Sequence, residues 1–148
     1  NVHPAAIAHE RDDRVKRLAG KIDRVLVDAP CTGLGTLRRN PDLKWRQKPE
    51  AIADVAATQT AILDSAARLL KSGGRLVYAT CSVLPQENEE IANLFSAAHP
   101  DFVVLPVFEE LSRLKVANAQ TLCAGNFLRL WPHRHGTDGF FAAVWVRK

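Results

Sequence analysis

A chain of 148 residues is long enough for one domain with a real core and too short for two. Its 47% hydrophobic and 24% charged content is that of a soluble globular chain. No apolar run approaches the roughly 20 residues of a membrane span and no signal-peptide pattern opens the sequence, so a cytoplasmic protein is expected. Three cysteines, none in a CxxC or Cys/His spacing, argue against a disulfide framework and against a zinc site, and the formal net charge of +4 is mild.

Taken in chain order, Asn1 to Gly20 reads as a loop followed by a short helix or turn, with the charged run HERDDRVKRL and a stop at Gly20. Ile22 to Asp28 carries the apolar residues Ile22, Val25, Leu26 and Val27 and is closed by Ala29-Pro30-Cys31-Thr32-Gly33, read as a strand buried on both faces. A long loop from Ala29 to Pro49 follows, and long loops in compact domains are usually functional. A helix from Pro49 or Glu50 to Leu70 carries Ile52, Val55, Ala56, Ile62, Leu63, Ala66 and Leu69 at helical spacing. Lys71-Ser72-Gly73-Gly74 turns the chain into a second strand, Arg75 to Thr80. Strand, helix, strand in this order predicts a right-handed parallel crossover. Pro85-Gln86-Glu87-Asn88-Glu89-Glu90 supplies an acidic first turn for a helix reaching Ala98. Phe102 to Val107 is read as a third strand, and Phe108 to Leu122 has only weak helical character. Asn126 to Trp131 and Phe140 to Val146, joined by a Gly-containing turn, read as an antiparallel hairpin at a sheet edge. The fold class is α/β.

Two strands thus end in cysteine: Cys31 with Asp28 and Thr32 at the first, Cys81 with Ser82 at the second. In open α/β sheets, ligands bind in the crevice outside the carboxyl ends of the strands. Between the cysteines, Arg38, Arg39, Lys44, Arg46 and Lys48 surround Trp45, a composition suited to a phosphate backbone and an unstacked base. Charge alone leaves a solvated basic loop equally open. Cys123 has no such setting and reads as incidental.

The segments DAPCTGLGTLRRNPDLKWR and ATCSVLPQENEE, with the terminal GTDGFF, resemble the paired cysteine motifs and closing motif of the RNA cytosine-C5 methyltransferases, most closely the bacterial branch that modifies small-subunit ribosomal RNA. The likeness is dense from Ile22 to Glu90 and from Leu128 to Lys148, and thin elsewhere. It implies a Rossmann-like class I methyltransferase sheet with helices on both faces, S-adenosylmethionine as methyl donor and ribosomal RNA as substrate. It further implies Cys81 as the nucleophile that adds to cytosine C6, Cys31 as the residue that assists product release, and Asp28 as a contact to donor and base. The residues alone do not choose between the cysteines, and capping of a helix or turn is the lesser alternative for Asp28. Arg38, Arg39 and Lys44 are the RNA-contact candidates, with stapling of the loop to the domain an equal alternative. Asp138 and Phe140 are expected in a closing turn and the core. The family's glycine-rich donor loop and ribose-binding acid would lie upstream of Asn1. The chain is therefore expected to span the C-terminal portion of a catalytic domain, 1–148, inactive in isolation. The alternative is a non-catalytic RNA-binding fragment, with a homo-oligomer formed through an orphaned sheet edge.

Overall fold

The computed structural model describes residues 2–148. The first ordered element is one helical turn, α1 (Asp13–Lys16), started by the Asp12 carboxylate, which accepts from the Arg14 amide at 2.9 Å. Strand β1 (Ile22–Asp28) and strand β2 (Leu70–Thr80) then pair in parallel, from Arg24 opposite Arg75 to Asp28 opposite Ala79. The connection carries a short turn of helix, α2 (Leu43–Arg46), and the long helix α3 (Pro49–Ala67). Proline at the first helical position of α3 costs no hydrogen bond, because that amide would have no partner in the helix.

The start of β2 differs from the expectation. The strand begins at Leu70, opposite Ile22, and Lys71–Gly74 bulges from it before pairing resumes at Arg75. Gly73, at φ +75°, supplies the left-handed backbone this bulge needs. A 3-10 turn, Pro85–Glu87, leads into α4 (Glu89–Ala98). The predicted third strand is shorter than expected: β3 is Phe102–Val104, because Pro106 lacks a donor and opens α5 (Val107–Arg113) instead. The chain closes with β4 (Cys123–Ala124), β5 (Phe127–Leu130), the turn α6 (Pro132–His135) and β6 (Phe140–Arg147).

The strands run in the order β1-β2-β6-β5-β4, with β3 also on β6. β5 and β6 do form an antiparallel hairpin, but β6 lies inside the sheet. One of its edges pairs with β2 from Arg75–Val146 to Thr80–Phe141, and the other is shared between β5 and β3. Its composition explains the placement. Phe141, Ala143 and Trp145 are fully buried and the alternating Ala142, Val144 and Val146 half-buried, so both faces are apolar and suit an interior strand.

One face of the sheet makes the core. Val27, Leu76, Tyr78, Phe141, Ala143 and Trp145 pack there against Leu63 and Ala66 of α3 and Ile91, Ala92 and Phe95 of α4. The Phe95 and Trp145 rings meet edge to face at 4.8 Å, and the indole N–H donates to Ser96 Oγ at 2.9 Å. The other face is covered by α5, tied down by Arg75 and Glu110 at 2.8 Å. Helices on both faces are as expected, whereas full burial of β1 is not. β1 is an edge strand, and Leu26, alternating with the inward Val25 and Val27, is 67% exposed.

Candidate active site

Parallel pairing of β1 and β2 sets their carboxyl ends side by side, and the Ala29 amide extends the ladder by donating to Ala79 O at 2.9 Å. The chain leaves each strand within three residues of a cysteine, and the two sulfurs, Cys31 Sγ and Cys81 Sγ, stand 3.3 Å apart, both half-buried. Burial pushes the Cys31 thiol up to about 12, and its hydrogen bond to Cys81 and the neighbouring sulfur's charge add to the rise. Cys31 therefore keeps its proton across the physiological range. Asp28 was expected to end an apolar strand at a desolvation cost. In this chain the Asp28 carboxylate is exposed.

Both cysteine loops are held from beneath by polar groups. Glu87 is fully buried, and its two oxygens accept from the Thr32 amide at 2.8 Å, Thr32 Oγ1 at 2.6 Å, Gln59 Nε2 at 3.4 Å and Ser82 Oγ. Asn88 accepts from Thr80 Oγ1 at 2.5 Å and donates to Ser82 O at 3.0 Å. Gln59 donates to Pro30 O at 2.9 Å, and Gln47 to Thr32 O at 2.8 Å. Tyr78 donates its hydroxyl to Glu87 O at 2.6 Å. The sequence pattern placed Glu87 in an acidic first turn and gave it no role at the site. The available signal was the hydroxyl residue directly after each cysteine, Thr32 and Ser82.

A third segment closes over the loops. The Gly35 amide donates to Cys81 O at 2.9 Å, and the Gly139 amide to Gly35 O at 2.8 Å, so the terminal GTDG turn is stitched to the first cysteine loop. Arg38 donates to Gly136 O at 3.1 Å and Arg39 pairs with Asp138 at 2.6 Å. These two RNA-contact candidates are engaged as staples of the loop. Lys44 instead lies over the ring of Trp45 at 4.8 Å, and that ring is 79% exposed. Asp138 belongs to the closing turn as expected, but the core position is Phe141, with Phe140 39% exposed. Arg129, also unforeseen, is buried in β5, donates to Val83 O at 2.8 Å and stacks on Trp131 at 4.4 Å, bracing the loop after Cys81. Cys123 sits in β4, at the end of the strand order opposite β1. Cavities of about 340 Å³ border α3 at Arg11, Asp64 and Arg68 and beneath Ile7 and Val15, away from the thiols.

A profile of the family described as 16S rRNA methyltransferase RsmB/F matches residues 2–146. The chain belongs to this family. It is 48% identical over 122 residues to a protein named probable ribosomal RNA small subunit methyltransferase B of Synechocystis sp., covering 82% of this chain and 26% of that protein. It is 43% identical over 128 residues to the Bacillus subtilis protein of the same name, covering 86% and 28%. The chain thus spans about a quarter of the length of these relatives. Among solved structures, NSun6 from Pyrococcus horikoshii with SFG superposes with a TM-score of 0.74 at 27% identity, over 99% of this chain and 35% of that one. A methyltransferase homologue from the same organism gives 0.62 at 30% identity, over 85% and 39%. Members of the RsmB/F family use S-adenosylmethionine. No helix among the described residues is long and apolar enough to cross a membrane.

Proposed function

We propose that this chain carries the base-modifying thiols of an enzyme that methylates C5 of a cytosine in small-subunit ribosomal RNA through a covalent bond from Cys81 to C6. The observation that carries the reading is the thiol pair at the exits of two adjacent parallel strands, 3.3 Å apart, in a family of ribosomal RNA methyltransferases. Cytosine C5 is a poor nucleophile. Addition of the Cys81 thiolate to C6 breaks the C5–C6 double bond and moves its electron pair to C5, which then forms the new carbon–carbon bond. S-adenosylmethionine, when bound, supplies the electrophilic methyl. The C5 proton passes to solvent, its bonding electrons restore the C5–C6 double bond, and Cys81 leaves as thiolate.

The raised Cys31 thiol supports the division of labour. A Cys31 that keeps its proton is not itself the attacking thiolate, and at 3.3 Å it stands within reach of the Cys81 sulfur at release. Asp28, exposed at the exit of edge strand β1, suits a contact to the donor and to the base. The loop bearing Lys44 and Trp45 offers a cation and an open ring for RNA.

The test is trapping. The protein in its full natural length is given S-adenosylmethionine and small-subunit RNA in which 5-fluorocytosine replaces the target. Fluorine cannot leave as a proton does, so a C6 adduct persists as an RNA–protein band through denaturation. The band is expected in wild type and Cys31→Ala and absent in Cys81→Ala. A band that needs Cys31 instead reverses the roles. RNA binding without any band, on an RNA shown to be bound, favours a non-catalytic RNA-binding module.

A further inference from the structure

We infer that Glu87 is a positioning residue that sets the separation of the two thiols, an inference that rests on the thiol-pair reading above. Its carboxylate is fully buried, which is strongly unfavourable unless every lone pair is used, and here four donors converge on it. Those donors are not scattered. Oε1 takes the Thr32 amide and Oε2 takes Thr32 Oγ1 and Ser82 Oγ, so one rigid group grips the residue that follows Cys31 and the residue that follows Cys81. The neighbouring groups complete the grip. Gln59, which also donates to Glu87, holds Pro30 on the other side of Cys31. Asn88, next in sequence, holds Thr80 and Ser82 on either side of Cys81. All four residues flanking the two cysteines are tied to Glu87, Asn88 or Gln59.

An apolar side chain in place of Glu87 would leave the Thr32 amide, the Thr32 and Ser82 hydroxyls and Gln59 without their acceptor. What an apolar side chain cannot do is fix two loops in direction. Loss of that direction matters because misplacing a reacting group by about 1 Å can cost on the order of 100-fold in rate. Alanine at this position removes the acceptor from the Thr32 amide and from both hydroxyls, whereas glutamine, whose N–H₂ can donate to the Thr32 and Ser82 hydroxyls, keeps the grip.

Two readouts test the inference, one of which needs no methyl transfer. In a Cys123→Ser background, the Cys31–Cys81 disulfide is equilibrated with oxidised glutathione. Each protein dithiol gives up two electrons and two protons to one glutathione disulfide, yielding the protein disulfide and two reduced glutathiones. The ratio measures the effective concentration of one thiol at the other, and Glu87→Ala is expected to lower it about tenfold or more while unfolding remains cooperative, with Glu87→Gln near wild type. In methyl transfer, Glu87→Ala is expected to lower kcat about 100-fold with KM for RNA within about twofold. Thr32→Val reproduces part of the loss and Thr32→Ser restores most of it. A folded Glu87→Ala with an unchanged thiol equilibrium overturns the inference. If Glu87→Ala does not fold, Ser82→Ala decides: a lowered effective concentration supports it and an unchanged one overturns it. If wild type transfers no methyl group, the functional reading fails and the thiol equilibrium alone judges Glu87.

Discussion

Gly35 is where the three segments of the site touch, and Gly35→Ala is the sharpest perturbation the structure offers. An added Cβ would lie 2.2 Å from Gly139 O and 2.6 Å from Cys81 O. Both obstacles are backbone, so no side chain can swing aside, and relief requires the Cys81 loop and the closing turn to retreat by about 1 Å each. Retreat weakens the hydrogen bonds from Gly35 to Cys81 and from Gly139 to Gly35, at 2.9 and 2.8 Å. Overpacking of about 1–3 kcal/mol and two hydrogen bonds of about 1 kcal/mol each give a loss of roughly 3–5 kcal/mol. For a domain of this size that lowers Tm by about 10 °C. Urea and thermal unfolding followed by circular dichroism measure it. Gly73→Ala is the control: its φ is +75° but nothing stands within 4 Å, so only the left-handed backbone penalty of about 1–2 kcal/mol applies. If Gly35→Ala is no more destabilising than Gly73→Ala, the three-way contact is not a tight one and the reasoning fails.

Alkylation by iodoacetamide should separate the thiols by pH. Cys31 must lose its proton to react, so its rate should climb about tenfold per pH unit from 7 to 10 without the levelling an ordinary thiol shows above about 8.5. The same sign governs stability: the folded form holds this proton more tightly, so the contribution is fully present below the unfolded value and fades as pH rises toward about 12. Arg39→Ala strips the partner from Asp138, whose Oδ1 is already without one, and should cost about 1 kcal/mol by denaturant titration. Lys44→Ala should change stability by less than about 0.5 kcal/mol and lower the salt slope of RNA binding by about 1. Trp45→Ala, equally silent in stability, should weaken single-stranded RNA binding by about 1–3 kcal/mol, read by fluorescence anisotropy of labelled RNA.

The parts of the site legible in the sequence are those written in local pattern. The apolar residues of Ile22–Val27, followed by Pro and Gly, and the run after Gly74 each announced a strand with a cysteine at its exit, and the helix between them implied a parallel crossover that brings both thiols to one edge of the sheet. A crossover does not fix which strands lie between its ends, so it is the direct pairing of β1 with β2 that makes the thiols neighbours. The basic loop was legible as basic, but the destination of each cation was not: Arg39 meets Asp138 almost a hundred positions later, and no local pattern encodes such a partner. The Lys71–Gly74 bulge was misread as a turn before the strand because glycine marks both.

By itself, then, the sequence determined the α/β class, the α3 crossover and the two thiol-bearing strand exits, since periodicity and turn residues act within a few positions of one another. Only the tertiary structure decided that β6 enters the sheet between β2 and β5 and that Glu87 is buried between the cysteine loops. A strand's neighbours and a carboxylate's desolvation depend on groups far away in sequence. Glu87 has the local setting of a solvated helix-start acid, and becomes the shared acceptor for Thr32 and Ser82 only once β1 and β2 have brought those residues together.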